Sequence, residues 1–150
     1  QTEAATGNDF EYIVGGVMAG SGGKYKDGWI NMTGRQLKIH TKANSSSNKA
    51  AGISIVGNSM EIKNAGGVDI AIEGDQKSQS GIYLFSKGNA GAKLTIENDN
   101  RPSHAVKIRN DATGEKEAAI LVDGTQKKAQ LKIDGLVDWW TSVRAVMFCR

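Results

Sequence analysis

Three stretches of the chain repeat one pattern of apolar and polar positions. They read AGISIVGNSMEIKN (residues 51–64), SGIYLFSKGNAGAKLTIEND (80–99) and AAILVDGTQKKAQLKIDG (118–135). Each opens on small residues, continues through alternating apolar positions, turns at a glycine and closes on a run of the form apolar-x-Ile. A shorter signature runs through the same region: an Ile or Val, a charged residue, then Asn or Gly. It appears as Ile62-Lys63-Asn64, Ile72-Glu73-Gly74, Ile96-Glu97-Asn98, Ile108-Arg109-Asn110, Val122-Asp123-Gly124 and Ile133-Asp134-Gly135. With Leu84 placed in the one wide gap, successive steps are 10, 12, 12, 12, 14 and 11 residues.

The apolar residues sit at i and i+2, as in Leu94/Ile96, Val106/Ile108 and Leu131/Ile133. Period two places them on one face of a strand, with Thr95, Lys107 and Lys132 on the other. The charged residue of the signature then faces water. Asn and Gly accept a left-handed backbone, so each strand is expected to end there in a sharp turn. Helical spacing is confined to the tail, where Val137, Trp140, Val143 or Arg144, and Met147 share a 3.6-residue period; a short strand over residues 144–148 fits the tail equally well.

Before the repeats the text is less regular. Residues 1–9 read as a loose end, residues 10–14 as a strand, and the region around Ser21, Gly22 and Gly23 as a glycine-rich loop. WINMTGRQLKIHTK, residues 29–42, reads as strand, turn at Thr33-Gly34, strand. Residues 43–50 form a solvated loop. The organisation expected is an end and capping region over 1–28, repeats over 29–138 and an irregular tail over 139–150.

Short strands at a step of about twelve residues suit an antiparallel β-sandwich or barrel, or a β-solenoid whose coils of roughly 20–30 residues each contribute two or three strands. The solenoid is favoured. The repeats resemble one another, as stacked coils require. Asn recurs at the turn, where stacked coils pair Asn side chains in ladders. Loop lengths vary, as in NSSSNK, GDQKSQS and NDATGEKE, while the strands stay short.

Composition narrows the class of protein. The 150 residues suit one domain. A hydrophobic content of 39% with 19 glycines is too apolar and too patterned for a disordered chain. The net charge of +3 comes from scattered residues, without a basic run or an aromatic-interleaved basic face, so no nucleic-acid partner is expected. Cys149 is the lone cysteine, which excludes a disulfide within the chain and a cysteine-based metal site. No apolar run reaches the roughly 20 residues of a transmembrane helix, and direct membrane insertion of this segment is not expected. The start at Gln1 reads as a mature form or an excised fragment.

Catalytic and cofactor motifs were sought. GGVMAGSGGKYKDG fails the phosphate-loop pattern, because Met18 stands where Gly is needed and Tyr25 where Ser or Thr is needed. The dinucleotide pattern fails at position 25 as well. His40 and His104 have no spacing that suggests a shared metal and read as solvated or stacking side chains. Asp69, Glu73, Glu97, Asp99, Asp123 and Asp134 read mostly as single solvated charges rather than as a catalytic cluster. No catalytic residue, metal or cofactor is therefore assigned. Tyr83 and Phe85 are the candidate ligand-binding residues: with Ile82 and Leu84 inward, both rings are expected to face out, either to stack on a sugar or a partner protein or, the favoured alternative, to lie buried under a neighbouring loop.

GVDIAIEGD, SGIYLFSKGNAGAKLTIEND, SHAVKIRND and AQLKIDG resemble the passenger region of Gram-negative autotransporter adhesins over about residues 29–138. The resemblance implies a right-handed parallel β-helix, secreted or displayed at the bacterial surface and attached to the outer membrane. It implies a non-enzymatic role in adhesion, biofilm formation or virulence, with a host protein or glycan, or another copy, as partner. The family's translocator barrel has no counterpart in the sequence given, and WWTSVRAVMFCR leaves the repeat pattern, as at a truncation or cap. A β-helix polysaccharide lyase or glycoside hydrolase, and a fimbrial-type β-sandwich binding module, are the alternatives.

Overall fold

The computed structural model describes residues 13–20, 27–43, 49–74, 78–113, 116–124, 127–138 and 147–149. Among them the chain is all-β. The strands are β1 (Ile13–Gly20), β2 (Gly28–Asn31), β3 (Leu37–Ala43), β4 (Lys49–Val56), β5 (Ser59–Ala65) and β6 (Val68–Gly74). There follow β7 (Ser78–Phe85), β8 (Ala92–Asn98), β9 (Val106–Asn110), β10 (Lys116–Asp123), β11 (Ala129–Asp134) and β12 (Met147–Cys149). One 3-10 turn, Pro102–His104, precedes β9.

The strands form three sheets, in the orders β1-β4-β7-β10-β12 (sheet A), β2-β5-β8-β11 (sheet B) and β3-β6-β9 (sheet C). From β1 to β11 each strand pairs with the one three places on, and every ladder is parallel. The chain thus visits A, B and C in turn and then returns beside its own earlier strand. Val137 continues sheet C through a parallel bridge to Val106. The antiparallel sandwich is overturned. Only an isolated bridge, Lys87 to Ala90, runs antiparallel among the described residues. Thr33-Gly34 does turn the chain, with φ of 50° and 79°, but it hands β2 of sheet B to β3 of sheet C instead of closing a hairpin.

The twelve-residue step is therefore one side of a circuit, and three steps make the whole. Ile53 meets Ile82 after 29 residues, within the expected roughly 20–30, and Ile82 meets Ile120 after 38, beyond it. The thrice-repeated stretch is the passage from sheet A to sheet B in three successive circuits. Its inward residues stack in columns: Val17, Ile53, Ile82 and Ile120; Ala19, Ile55, Leu84 and Val122; Ile30, Ile62, Ile96 and Ile133. Sheet C adds Ile39, Ile70 and Ile108, with Leu37, Val68 and Val106 beside them. These side chains form one core, sealed in the middle circuits and half-open at Ile30, Leu37, Leu131 and Ile133 at its two ends. Each fully buried aliphatic side chain contributes about 1.5–3 kcal/mol.

The small residues that open each repeat have a steric cause. A Cβ on Gly52 would lie 2.5 Å from both the Gly81 carbonyl oxygen and Ile70 Cγ2. One on Gly81 would lie 2.8 Å from the Ala119 oxygen and Ile108 Cγ2. Here sheet A passes over the isoleucines of sheet C, and the backbone approaches too closely for a side chain.

Asparagine works differently from expectation at two of its three signature positions. Asn64 is left-handed, with φ of 53°, and its Nδ2 donates to Asn31 Oδ1 at 3.1 Å, one rung of a ladder. The next rung fails because the register slips between Ile62 and Ala65, so that Asn98 stands opposite Ala65. Asn98 and Asn110 are buried and outside the left-handed region, and both side chains bind backbone. The strand residues of the glycine-rich segment reach Gly20; the loop around Ser21, Gly22 and Gly23 lies outside the described residues, as do residues 1–12 and 139–146. In the tail, Met147–Cys149 is a strand beside β10.

Candidate functional site

Period two turns half of every strand outward, and the three outward faces differ in chemistry. On sheet A, Ile82 and Leu84 are sealed in the core, so Tyr83 and Phe85 face out, as parity requires. Their rings lie 6.1 Å apart and 8° from parallel. Such a stack contributes about 0.5–1.5 kcal/mol and turns the two rings toward each other. Across the circuits Tyr83 is flanked by Ser54 and Leu121, and Phe85 by Val56 and Asp123. Ser54, Val56 and Leu121 are buried, and both aromatics are half-buried. The pair belongs to an apolar band and does not stand free.

Sheet B carries the exposed aromatic. Trp29 is 62% exposed on β2. The Lys63 ammonium lies 5.5 Å from the centre of a Trp29 ring and 3.2 Å from Glu61 Oε2. A cation over an indole at an exposed site gains about 0.5–1 kcal/mol. Sequence reasoning missed this residue, although the signal was present: Ile30 points inward, so its neighbour Trp29 points out.

Sheet C carries a charge cluster that spans three circuits. His40 on β3 lies between two carboxylates of β6, with Nε2 3.2 Å from Asp69 Oδ2 and Nδ1 3.4 Å from Glu73 Oε1. Arg109 on β9 donates from Nη2 to Asp69 Oδ1 and from Nη1 to Asp111 Oδ2, both at 3.0 Å. Burial would raise the Asp69 pKa. The hydrogen bonds from Arg109 and His40, together with their charge, outweigh burial and hold the carboxyl below its usual value. Asp69 and Glu73 are thus not the single solvated charges the linear spacing suggests. They lie four residues apart on one outward face, and the parallel register brings His40 and Arg109 from the circuits on either side. His40 and His104 sit on different elements with different carboxylate partners, Asp99 serving His104. Among the described residues, no group of three or more His, Cys, Asp or Glu side chains is arranged to hold a metal ion.

Together the described residues of these faces form repeating rows of outward side chains. Comparisons with protein-family models, with curated proteins and with solved structures return no match.

Proposed function

We propose that the chain is a segment of a right-handed parallel β-helix that acts as a non-catalytic adhesive or scaffold element, displayed at a bacterial surface in the manner of an autotransporter passenger. The observation that carries this reading is the pairing of each strand with the one three places on. Such pairing repeats the outward rows at the strand spacing of about 4.8 Å. The right hand is that of the passenger region the repeats resemble. A repeating surface binds through many weak contacts, so avidity from many copies supplies the strength that one pocket lacks. Host-surface proteins and glycans are the partners that suit such a surface.

The test is bead display. Beads densely coated with the chain are expected to be retained on epithelial cells or extracellular matrix, with retention falling more steeply than in proportion as the coating is diluted. Retention equal to that of beads coated with the unfolded chain would sink the reading.

A further inference from the structure

The corner where sheet B hands over to sheet C contains a cleft of about 340 Å³, bordered by Gln36, Gly67, Asp69, Ser103, His104 and Lys107. The sequence makes it by an inequality of corner lengths. Between β8 and β9 the chain spends seven residues, Asp99–Ala105, where the previous circuit spends only Gly66 and Gly67. The longer corner stands out as a wall beside the shorter one. Gly67 keeps the space between them open: its φ is 103°, and a Cβ there would stand 3.5 Å from Gln36 Cγ and 3.7 Å from His104 Cα.

The wall is held in place. Buried Asn98 accepts the Gly67 N–H at 2.8 Å and donates from Nδ2 to the His104 carbonyl at 2.7 Å, tying floor to wall. His104 Nδ1 lies 2.8 Å from Asp99 Oδ2, which fixes the ring from behind. The one carboxylate on the cleft, Asp69, is already engaged by Arg109 and His40. Among the described residues, Lys107 has no ion-pair partner, and the Gln36 amide and Ser103 hydroxyl have no hydrogen-bond partner. A cation, two neutral polar groups and one remaining imidazole nitrogen therefore border one space.

We propose that this cleft binds a monosaccharide unit carrying a carboxylate, presented on a surface glycan. Lys107 receives the carboxylate, and Gln36, Ser103 and the remaining ring nitrogen of His104 bond the ring hydroxyls. The volume lies at the lower end of small-molecule sites, at about 300 Å³ and above, and exceeds the need of a bare ion. The mixture of charged and neutral polar groups matches an acidic sugar better than an apolar ligand. This assignment names a ligand for the binding role proposed above and rests on that role for its biological setting.

The experiment is an amide NMR titration of the whole chain with methyl β-glucuronide, methyl β-glucoside and sodium sulfate. The glucuronide is expected to shift the Gly67, Ser103 and Lys107 amides saturably, with a Kd of about 1 mM, and the glucoside to bind about tenfold more weakly. Lys107→Gln should weaken glucuronide binding about tenfold, the loss of one charge-assisted bond, and Ser103→Ala severalfold. Lys132→Gln on sheet B should change nothing. These substitutions are at outward positions, and the same spectra report whether the fold survives. The proposal is overturned if the glucuronide gives no saturable shift up to about 20 mM, more than tenfold above the expected Kd. It is also overturned if the glucoside binds as well, or if sulfate binds as well and the site is a plain oxyanion site. The two readings fail separately. Unbound glucuronide with retained beads removes the cleft and keeps the adhesive role, and bound glucuronide with unretained beads does the reverse.

Discussion

Asn98 and Gly67 meet across successive circuits: the Asn98 side-chain oxygen accepts the Gly67 amide at 2.8 Å. The same side chain donates to the carbonyls of His104 and Asp99, at 2.7 and 3.0 Å. One buried amide thus satisfies backbone groups on both sides of a corner. Removing it leaves polar groups without partners, at about 1–3 kcal/mol each. Asn98→Ala is expected to destabilise the fold by at least about 2 kcal/mol, read as a lowered midpoint in urea. Asn64→Ala, at an exposed bulge one circuit earlier, should cost less: its side chain bonds only the exposed Asn31, and the remaining cost is that of Ala at a left-handed φ of 53°.

Gly81 tests the close approach of sheets A and C. Gly81→Ala places a methyl 2.8 Å from the Ala119 carbonyl oxygen, a backbone atom that cannot swing away. A loss of about 1–3 kcal/mol is expected, the usual cost of overpacking. The reverse exchange, Ala119→Gly one circuit on, should cost only about 0.5–1 kcal/mol. Thermal melts of the two variants separate steric crowding from the general effect of glycine. Equal losses would mean that contact with the neighbouring circuit is not what selects the small residue.

The carboxylates of Asp69 and Asp99 set the response to acid. Both pKa values lie below the ordinary 3.8, Asp69 through Arg109 and His40 against the pull of burial, Asp99 chiefly through its bond to His104. A depressed folded-state pKa contributes stability that is fully present above the unfolded value and is lost as pH falls through the folded one. Stability should therefore hold near pH 5 and decline below about pH 4. Asp69→Asn should lower stability at pH 5 and make the decline shallower, as measured by urea unfolding at pH 5 and pH 2.5. An acid decline as steep as in the parent chain would show that Asp69 takes no part in it.

Much of the fold was legible in the chain because a strand announces its faces by parity. Leu94/Ile96 and Leu131/Ile133 could be placed inward, and Tyr83 outward, without coordinates. What parity does not report is which strand lies beside which. That depends on the lengths of the corners, and the step of about twelve residues left open whether two or three strands complete a circuit. For the same reason the His40–Asp69–Arg109 cluster was invisible: its members lie far apart along the chain and meet only through the parallel register. Asn98 was read as a turn residue because its signature matches that of Asn64. Period two places Asn98 inward, two residues after Ile96, whereas a bulge in β5 turns Asn64 outward, and nothing in the two triplets marks the difference.

The unequal corners have a consequence for how such a chain changes. From Ile53 to Ile82 and from Ile82 to Ile120 the contour length differs by nine residues, yet the columns remain aligned. Residues added at a corner are extruded sideways, while a single residue added within a strand would exchange its inner and outer faces. Residues can therefore be added at the corners at little structural cost, whereas the walls between them tolerate no such insertion. The seven-residue corner beside Gly67 is the instance here: added length at a corner becomes added surface.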